Sequence, residues 1–275
     1  MAEKALSSLT LRIISALVLA PVVLIVVWIG ELPFLVLMAI LAALIASELK
    51  TLLLDGQRSD MVLLAFAGIL AVAIAGAGAA GAGLLMGLAG MASGVAWRLW
   101  RRQPLLPVVI SYVYLVVPLV AFIWFRMDAQ YGIAVASWLL AVVWATDIFA
   151  YFAGRSIGGA KLAPSISPGK TWAGLAGGVV GAAAAGLVTE LVLGFGPGII
   201  LPLISAFLAV VAQMGDLFES ALKRRIGVKD SSGLIPGHGG ILDRIDGLVA
   251  AIAVAAVIAL LHGATSPGAG VLVWP

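Results

Sequence analysis

Apolar runs of about 17 to 22 residues recur along this chain, each close to the length a helix needs to cross roughly 30 Å of hydrocarbon. They fall near 11–29, 32–47, 61–78, 80–97, 105–125, 131–151, 172–194, 199–215 and 245–262. A soluble reading fails on composition, because 63% hydrophobic residues in 275 and a mean hydropathy of +1.18 exceed what a core of this size can enclose. The expected fold class is therefore an all-α integral membrane protein with about nine transmembrane helices.

The distribution of basic residues orients those spans. Cytoplasmic loops are rich in Lys and Arg, and nine spans with a cytoplasmic N-terminus put nearly every basic group on one side. Lys4, Arg12, Lys50, Arg58, Arg98, Arg101, Arg102, Arg155, Lys161, Lys170, Lys223, Arg224, Arg225, Lys229 and Arg244 share that side, and Arg126 falls opposite. Merging 61–97 into one span would separate the first two groups from the later ones, so two spans are expected there. The pI of about 9.4 follows from this asymmetry and suits anionic headgroups of the lipid bilayer, with no nucleic acid partner required. The first run is long enough to be a retained helix and not a signal peptide. The absence of cysteine removes disulfides and thiolate metal sites.

Polar residues divide the chain unevenly. Residues 1–125 read as an N-terminal transmembrane scaffold of about five helices. Residues 126–275 read as a C-terminal catalytic transmembrane region, with cytoplasmic loops at 152–171 and 216–244. Gly83, Gly87, Gly90 and Gly94, and again Gly174, Gly178 and Gly181, have the spacing that lets helices approach closely in lipid. Packing within the chain is the first reading and assembly of a homodimer the second. Trp97, Arg98, Trp100, Arg101 and Arg102 read as an interfacial belt, and His262 as a residue at a membrane edge.

The chemistry gathers between 216 and 246, which holds five of the sixteen Lys and Arg and five of the thirteen acids. Gln213, Asp216, Ser220 and Lys223 form one stripe on a helix leaving the membrane, with Glu219 beside it. Gly227, Gly233, Gly237, Gly239 and Gly240 follow, a composition that lets backbone N–H groups close round an anion. Asp243 and Asp246 then share one face of the next helix's first turn. Asp147 lies near the inner end of the sixth span, where a carboxylate needs protein or water around it, with Tyr151 on the same face.

Several carboxylates in one unit repel one another unless a cation lies between them, and hard oxygen donors suit Mg²⁺. Asp216, Asp243 and Asp246 are the expected metal ligands. Neighbouring Lys223, Arg224, Lys229 and Arg244 suit phosphates, whose charge they would neutralise on a leaving pyrophosphate. A second, monovalent cation is compatible with the same pattern. Gly169-Lys170-Thr171 looks like the end of a P-loop, but Pro164 stands where the first glycine belongs and no strand is expected before it. The segment 164–171 reads instead as a rigid loop delivering Lys170 and the Ser167 and Thr171 hydroxyls to the same cavity.

These residues resemble phosphatidate cytidylyltransferase, the CDP-diacylglycerol synthase family. Its signature of Ser, Lys-Arg, Lys-Asp, Pro, His-Gly-Gly, Asp-Arg and Asp is met at every fixed position by Ser220, Lys223, Arg224, Lys229, Asp230, Pro236, His238, Gly239, Gly240, Asp243, Arg244 and Asp246. The resemblance extends through 215–220 and through Asp147, Tyr151, Gly154, Lys161, Leu162, Pro164, Ser167, Pro168, Lys170, Thr171 and Gly174, roughly the C-terminal half. Family members commonly carry Lys where this chain has Gly169 and an acid where it has Ala173. The resemblance implies transfer of CMP from CTP to phosphatidic acid, giving CDP-diacylglycerol and pyrophosphate, with Mg²⁺. It implies catalytic roles for Asp216, Ser220, Lys223, Asp243 and Asp246. Substrate contacts would come from Asp147, Tyr151, Ser167, Lys170, Thr171, Arg224, Lys229, His238, Gly239, Gly240 and Arg244.

Two rival readings accompany it. One keeps the chemistry but changes the acceptor to another lipid phosphate or a polyprenol. The other is a transporter, which the gathering of charge at one interface and the absence of an internal repeat disfavour. A CDP-alcohol phosphotransferase would need an Asp-x-x-Asp-Gly-x-x-Ala-Arg pattern that is not present. A bacterial inner membrane is the expected location, with the active site at its cytoplasmic interface.

Overall fold

The computed structural model describes residues 17–195, 198–235 and 239–274. An apolar helix α1 runs over Leu17–Ile29. It is followed by α2 (Glu31–Leu52), α3 (Arg58–Gly76), α4 (Ala80–Trp100), α5 (Leu106–Arg126) and α6 (Gly132–Ser156). A hairpin of β1 (Lys161–Ala163) and β2 (Ser167–Thr171) precedes α7 (Trp172–Leu193), α8 (Ile200–Arg225), α9 (Leu242–His262) and the short α10 (Ala269–Leu272). Eight of the described helices, α2 to α9, are long and apolar enough to cross a membrane, and the protein is an all-α integral membrane protein. The first expected span lies partly outside the described residues. The 61–97 region does divide in two, at a turn where Gly78 adopts φ +85°, a conformation open to glycine without strain.

The chain folds as two compact units that a single cut does not separate. One comprises residues 1–123 with 225–245, the other 124–224 with 246–275. The loop at 225–245 groups with the N-terminal helices.

In the first unit, α4 approaches its neighbours through its glycines. A Cβ on Gly83 would lie 2.8 Å from the Ala71 carbonyl oxygen, and one on Gly94 3.0 Å from Val108. Gly87 and Gly90 meet Val116, Ala67 and Tyr112 in the same way, so this stripe faces α3 and α5 of its own chain. Phe34 and Phe122 pack edge to face with ring centroids 5.4 Å apart. Arg98 does not belong to the interfacial belt. It is fully buried, with Nε 2.7 Å from Asp60 Oδ2 and one terminal nitrogen donating to the Pro104 carbonyl at 3.0 Å. Trp100 and Arg101 are exposed, and Arg101 lies over the Trp97 ring at 5.7 Å.

In the second unit, α6 and α7 pack along most of their length because Gly174, Gly178 and Gly181 leave room. A Cβ on Gly178 would lie 2.9 Å from the Thr146 carbonyl oxygen, and one on Gly181 2.6 Å from the Phe149 ring. Trp138 Nε1 donates to Ser205 Oγ at 2.9 Å and ties α6 to α8 in the buried interior. Gly215 and Gly247 bring α8 and α9 together: a Cβ on Gly215 would lie 2.7 Å from the Asp246 carbonyl oxygen, and one on Gly247 3.2 Å from that of Ala212. His262 is held by stacking on Trp274, with centroids 4.0 Å apart.

Candidate functional site

The α8 stripe forms the site's axis in the second unit. Three and four residues on a helix return to nearly the same face, and the structure shows what that alignment holds. Lys170 Nζ donates to Gln213 Oε1 at 2.7 Å and pairs with Asp216 Oδ2 at 2.7 Å. Ser220 Oγ donates to Asp216 Oδ1 at 3.2 Å, and Lys223 pairs with the buried Glu219 at 2.6 Å. Arg224 Nε donates to the Ile166 carbonyl at 3.2 Å, which fixes the hairpin tip to the end of α8.

Lys170 reaches Asp216 because 161–171 is a hairpin. The sequence reading expected a rigid loop with no strand before Gly169. Instead β1 and β2 pair antiparallel, with Lys161 opposite Thr171 and Ala163 opposite Ser167. Lys170 therefore extends from a strand and not from a phosphate-binding loop. Thr171 ends the strand and caps α7, its Oγ accepting from Gly174 N–H at 3.0 Å. Tyr151 is exposed and accepts a hydrogen bond from Arg155 at 3.0 Å. Ser167 is half-buried in β2.

Asp246 enters the same cluster from α9. Asp216, Glu219 and Asp147 all act electrostatically on its carboxylate, so four acids of this unit gather with Lys170 and Lys223. The close approach at Gly215 and Gly247 brings Asp246 to Asp216, one residue beyond Gly215 on α8.

The loop in the first unit is organised by two carboxylates. Asp243 Oδ2 accepts from Gly240 N–H at 2.7 Å, Ser231 N–H at 2.9 Å and Ser231 Oγ at 3.0 Å. Ile235 and Gly239 exchange backbone hydrogen bonds at 2.8 and 3.1 Å, and Gly239 has φ +80°. Lys229 and Arg244 are exposed. His238 lies outside the described residues, as does Pro236. The second carboxylate is Glu48 of α2, which sequence reasoning missed. It accepts from Ser231 Oγ, Ser232 Oγ, Ile241 N–H and Leu242 N–H at 2.7 to 2.9 Å. The available signal was an acid near the end of an apolar run.

Among the described residues no group of three or more His, Asp or Glu side chains is placed to hold a metal ion, and Asp243 spends one oxygen on the loop. The donor chemistry still fits Mg²⁺ at Asp216 and Asp246. That ion keeps several waters and is bound through one or two carboxylates plus substrate phosphates, not by an all-protein cage.

Fold and site together define a membrane-embedded protein that gathers carboxylates and lysines suited to phosphate chemistry in its second unit and carries a glycine loop in its first. The chain belongs to the cytidylyltransferase family, whose sequence model matches residues 10–262. It is similar to the phosphatidate cytidylyltransferases of Brucella abortus strain 2308, 52% identical over 128 residues, and of Bacillus subtilis strain 168, 51% identical over 126. Each match covers 46% of this chain and 47% of the relative. The phosphatidate cytidylyltransferase of Haemophilus influenzae is 41% identical over 174 residues, 56% of this chain and 57% of its own. The chain thus spans about half the length of the curated relatives it matches.

Proposed function

We propose that this protein transfers CMP from CTP to phosphatidic acid in the cytoplasmic membrane of a bacterium, releasing pyrophosphate and leaving CDP-diacylglycerol in the bilayer. The observation that carries the reading is the pairing of Lys170 of β2 with Asp216 on α8, itself hydrogen-bonded by Ser220, with Asp246 within electrostatic reach. An oxygen of the lipid phosphate attacks the α-phosphorus of CTP, a new P–O bond forms, and the bond from that phosphorus to the β-phosphate oxygen breaks. The lipid phosphate has a second pKa near 6, so near pH 7 the nucleophile is already largely ionised and no strong base is required.

Positioning and charge neutralisation carry the rest. Mg²⁺, when bound, supplies positive charge at the CTP phosphates, and Asp216 and Asp246 are the residues that would hold it. Lys170, paired with Asp216, is placed to turn its ammonium toward incoming phosphate. Lys223 and Arg224 at the end of α8 serve the lipid phosphate or the departing pyrophosphate. Lys229, Arg244 and the backbone of Gly239 and Gly240 serve the nucleotide. Asp243 contributes by ordering that loop.

The test is pyrophosphate release and lipid-linked CMP formation by detergent-purified protein given phosphatidic acid, CTP and Mg²⁺. Parallel arms supply EDTA, Asp246→Asn, an ether-lipid phosphate and a polyprenyl phosphate. Turnover on phosphatidic acid that EDTA abolishes and Asp246→Asn lowers at least about 100-fold supports the proposal. Turnover confined to another lipid phosphate, or unchanged in Asp246→Asn, overturns it.

A further inference from the structure

We infer that Glu48 is a positioning residue for nucleotide binding, acting through the 231–243 loop and not by contact with substrate; this rests on the CMP-transfer reading above. Glu48 lies near the C-terminal end of α2 and is 1% exposed. A carboxylate in an apolar span is costly unless protein surrounds it, and a buried charge is kept only with hydrogen-bonding partners.

Its partners show what it does. Oε1 accepts from Ser232 Oγ at 2.7 Å and Ile241 N–H at 2.8 Å, and Oε2 accepts from Ser231 Oγ at 2.9 Å and Leu242 N–H at 2.8 Å. Leu242 opens α9 and Ile241 immediately precedes it, and the first N–H groups of a helix have no partner within it. Glu48 thus caps α9 from a helix far earlier in the chain. Ser231 Oγ is shared with Asp243, so the two carboxylates hold one hydroxyl between them. Gly240 packs against this junction: a Cβ there would overlap Ser231 Oγ and lie 2.5 Å from Glu48 Oε1.

The segment so fixed carries the glycine backbone and is flanked by Lys229 and Arg244, groups whose chemistry suits a phosphate chain. Loosening it therefore weakens nucleotide binding before it affects the lipid. Glutamine is an informative substitution, since each Glu48 oxygen takes one hydroxyl and one backbone N–H. A hydroxyl can turn to accept from an amide NH₂, but a backbone N–H cannot. Whichever way the amide faces, one backbone bond is lost.

The experiment compares wild-type protein with Glu48→Gln, Glu48→Ala and a burial control, Glu190→Gln, whose carboxylate accepts from Gly198 N–H away from this loop. KM for CTP and for phosphatidic acid, thermal midpoint, and trypsin cleavage at Arg225, Lys229 and Arg244 with and without Mg²⁺ and CTP are measured. Glu48→Gln is expected to raise KM for CTP about tenfold while KM for phosphatidic acid stays within about twofold. Glu48→Ala is expected to exceed it, with faster loop cleavage in both variants. Unchanged KM for CTP with wild-type cleavage overturns the inference, as does a fall in thermal midpoint with both KM values moving together as in Glu190→Gln. If wild-type protein transfers no CMP, the catalytic reading fails and cleavage alone decides: faster loop cleavage in Glu48→Gln supports the positioning role, and equal cleavage overturns it.

Discussion

Lys170 Nζ stands 2.7 Å from Asp216 Oδ2, a contact between the second strand of a two-stranded hairpin and the exit of a transmembrane helix. The same ammonium reaches Gln213 Oε1 at 2.7 Å, one helical turn earlier on α8. A single lysine thus engages two members of the polar stripe, and the hairpin exists to put it there.

Removing that ammonium leaves Asp216 facing neighbouring acids without its cation. Lys170→Met is expected to lower kcat/KM for CMP transfer about 100-fold, with Lys170→Arg recovering part of the loss. Arginine keeps the charge but not the compact shape that satisfies both partners. Steady-state kinetics with protein of matched thermal stability measures it.

Helices α6 and α7 touch because Gly178 has no side chain. Gly178→Val would drive two methyl groups toward the Thr146 carbonyl, where even a Cβ lies 2.9 Å away. The expected loss is about 1 to 3 kcal/mol, read as a lowered thermal midpoint in detergent. Gly169→Ala, at a position with open space around it, is expected to leave that midpoint unchanged.

Asp60 and Arg98 are both buried and 2.7 Å apart. Asp60→Asn removes the buried counter-charge and leaves the guanidinium only the exposed Asp55 carboxylate at 3.7 Å, and is expected to cost about 3 kcal/mol. The double variant Asp60→Leu with Arg98→Met removes both charges and is expected to recover most of it. Thermal or denaturant unfolding of the three proteins measures the difference.

Asp128, between α5 and α6, makes a pH-dependent contribution. Burial pushes its pKa up, but hydrogen bonds from the Ser266 side chain and from the N–H groups of Tyr131, Gly268 and Gln130 outweigh burial and hold it below the ordinary value of 3.8. A lowered folded pKa means stabilisation that is complete above 3.8 and is lost as pH falls through the folded value. Wild-type protein is therefore expected to exceed Asp128→Asn in thermal midpoint at pH 7, the gap closing on acidification below 3.8.

The membrane-spanning helices were legible because hydropathy is local: a run long enough to cross the bilayer announces itself, and eight such helices, α2 to α9, stand where apolar runs were read. The α8 stripe was legible for a related reason, since Gln213, Asp216 and Ser220 share a face by helical period alone. Arg98 was misread and Glu48 passed over because each is a charge near a helix end, and sequence does not distinguish an interfacial side chain from one turned inward to a distant partner. Asp60 is 38 residues from Arg98, and Leu242 is 194 residues from Glu48.

By itself, then, the sequence determined the membrane class, the position of the spans and the chemical character of the polar segments, all of which follow from side-chain types at local spacing. Tertiary structure alone decided that Lys170 meets Asp216, that Asp243 clamps its own loop, and that Glu48 caps α9. Those contacts depend on which helices pass close enough for buried carboxylates to find donors, and glycine positions such as Gly215, Gly240 and Gly247 set that distance.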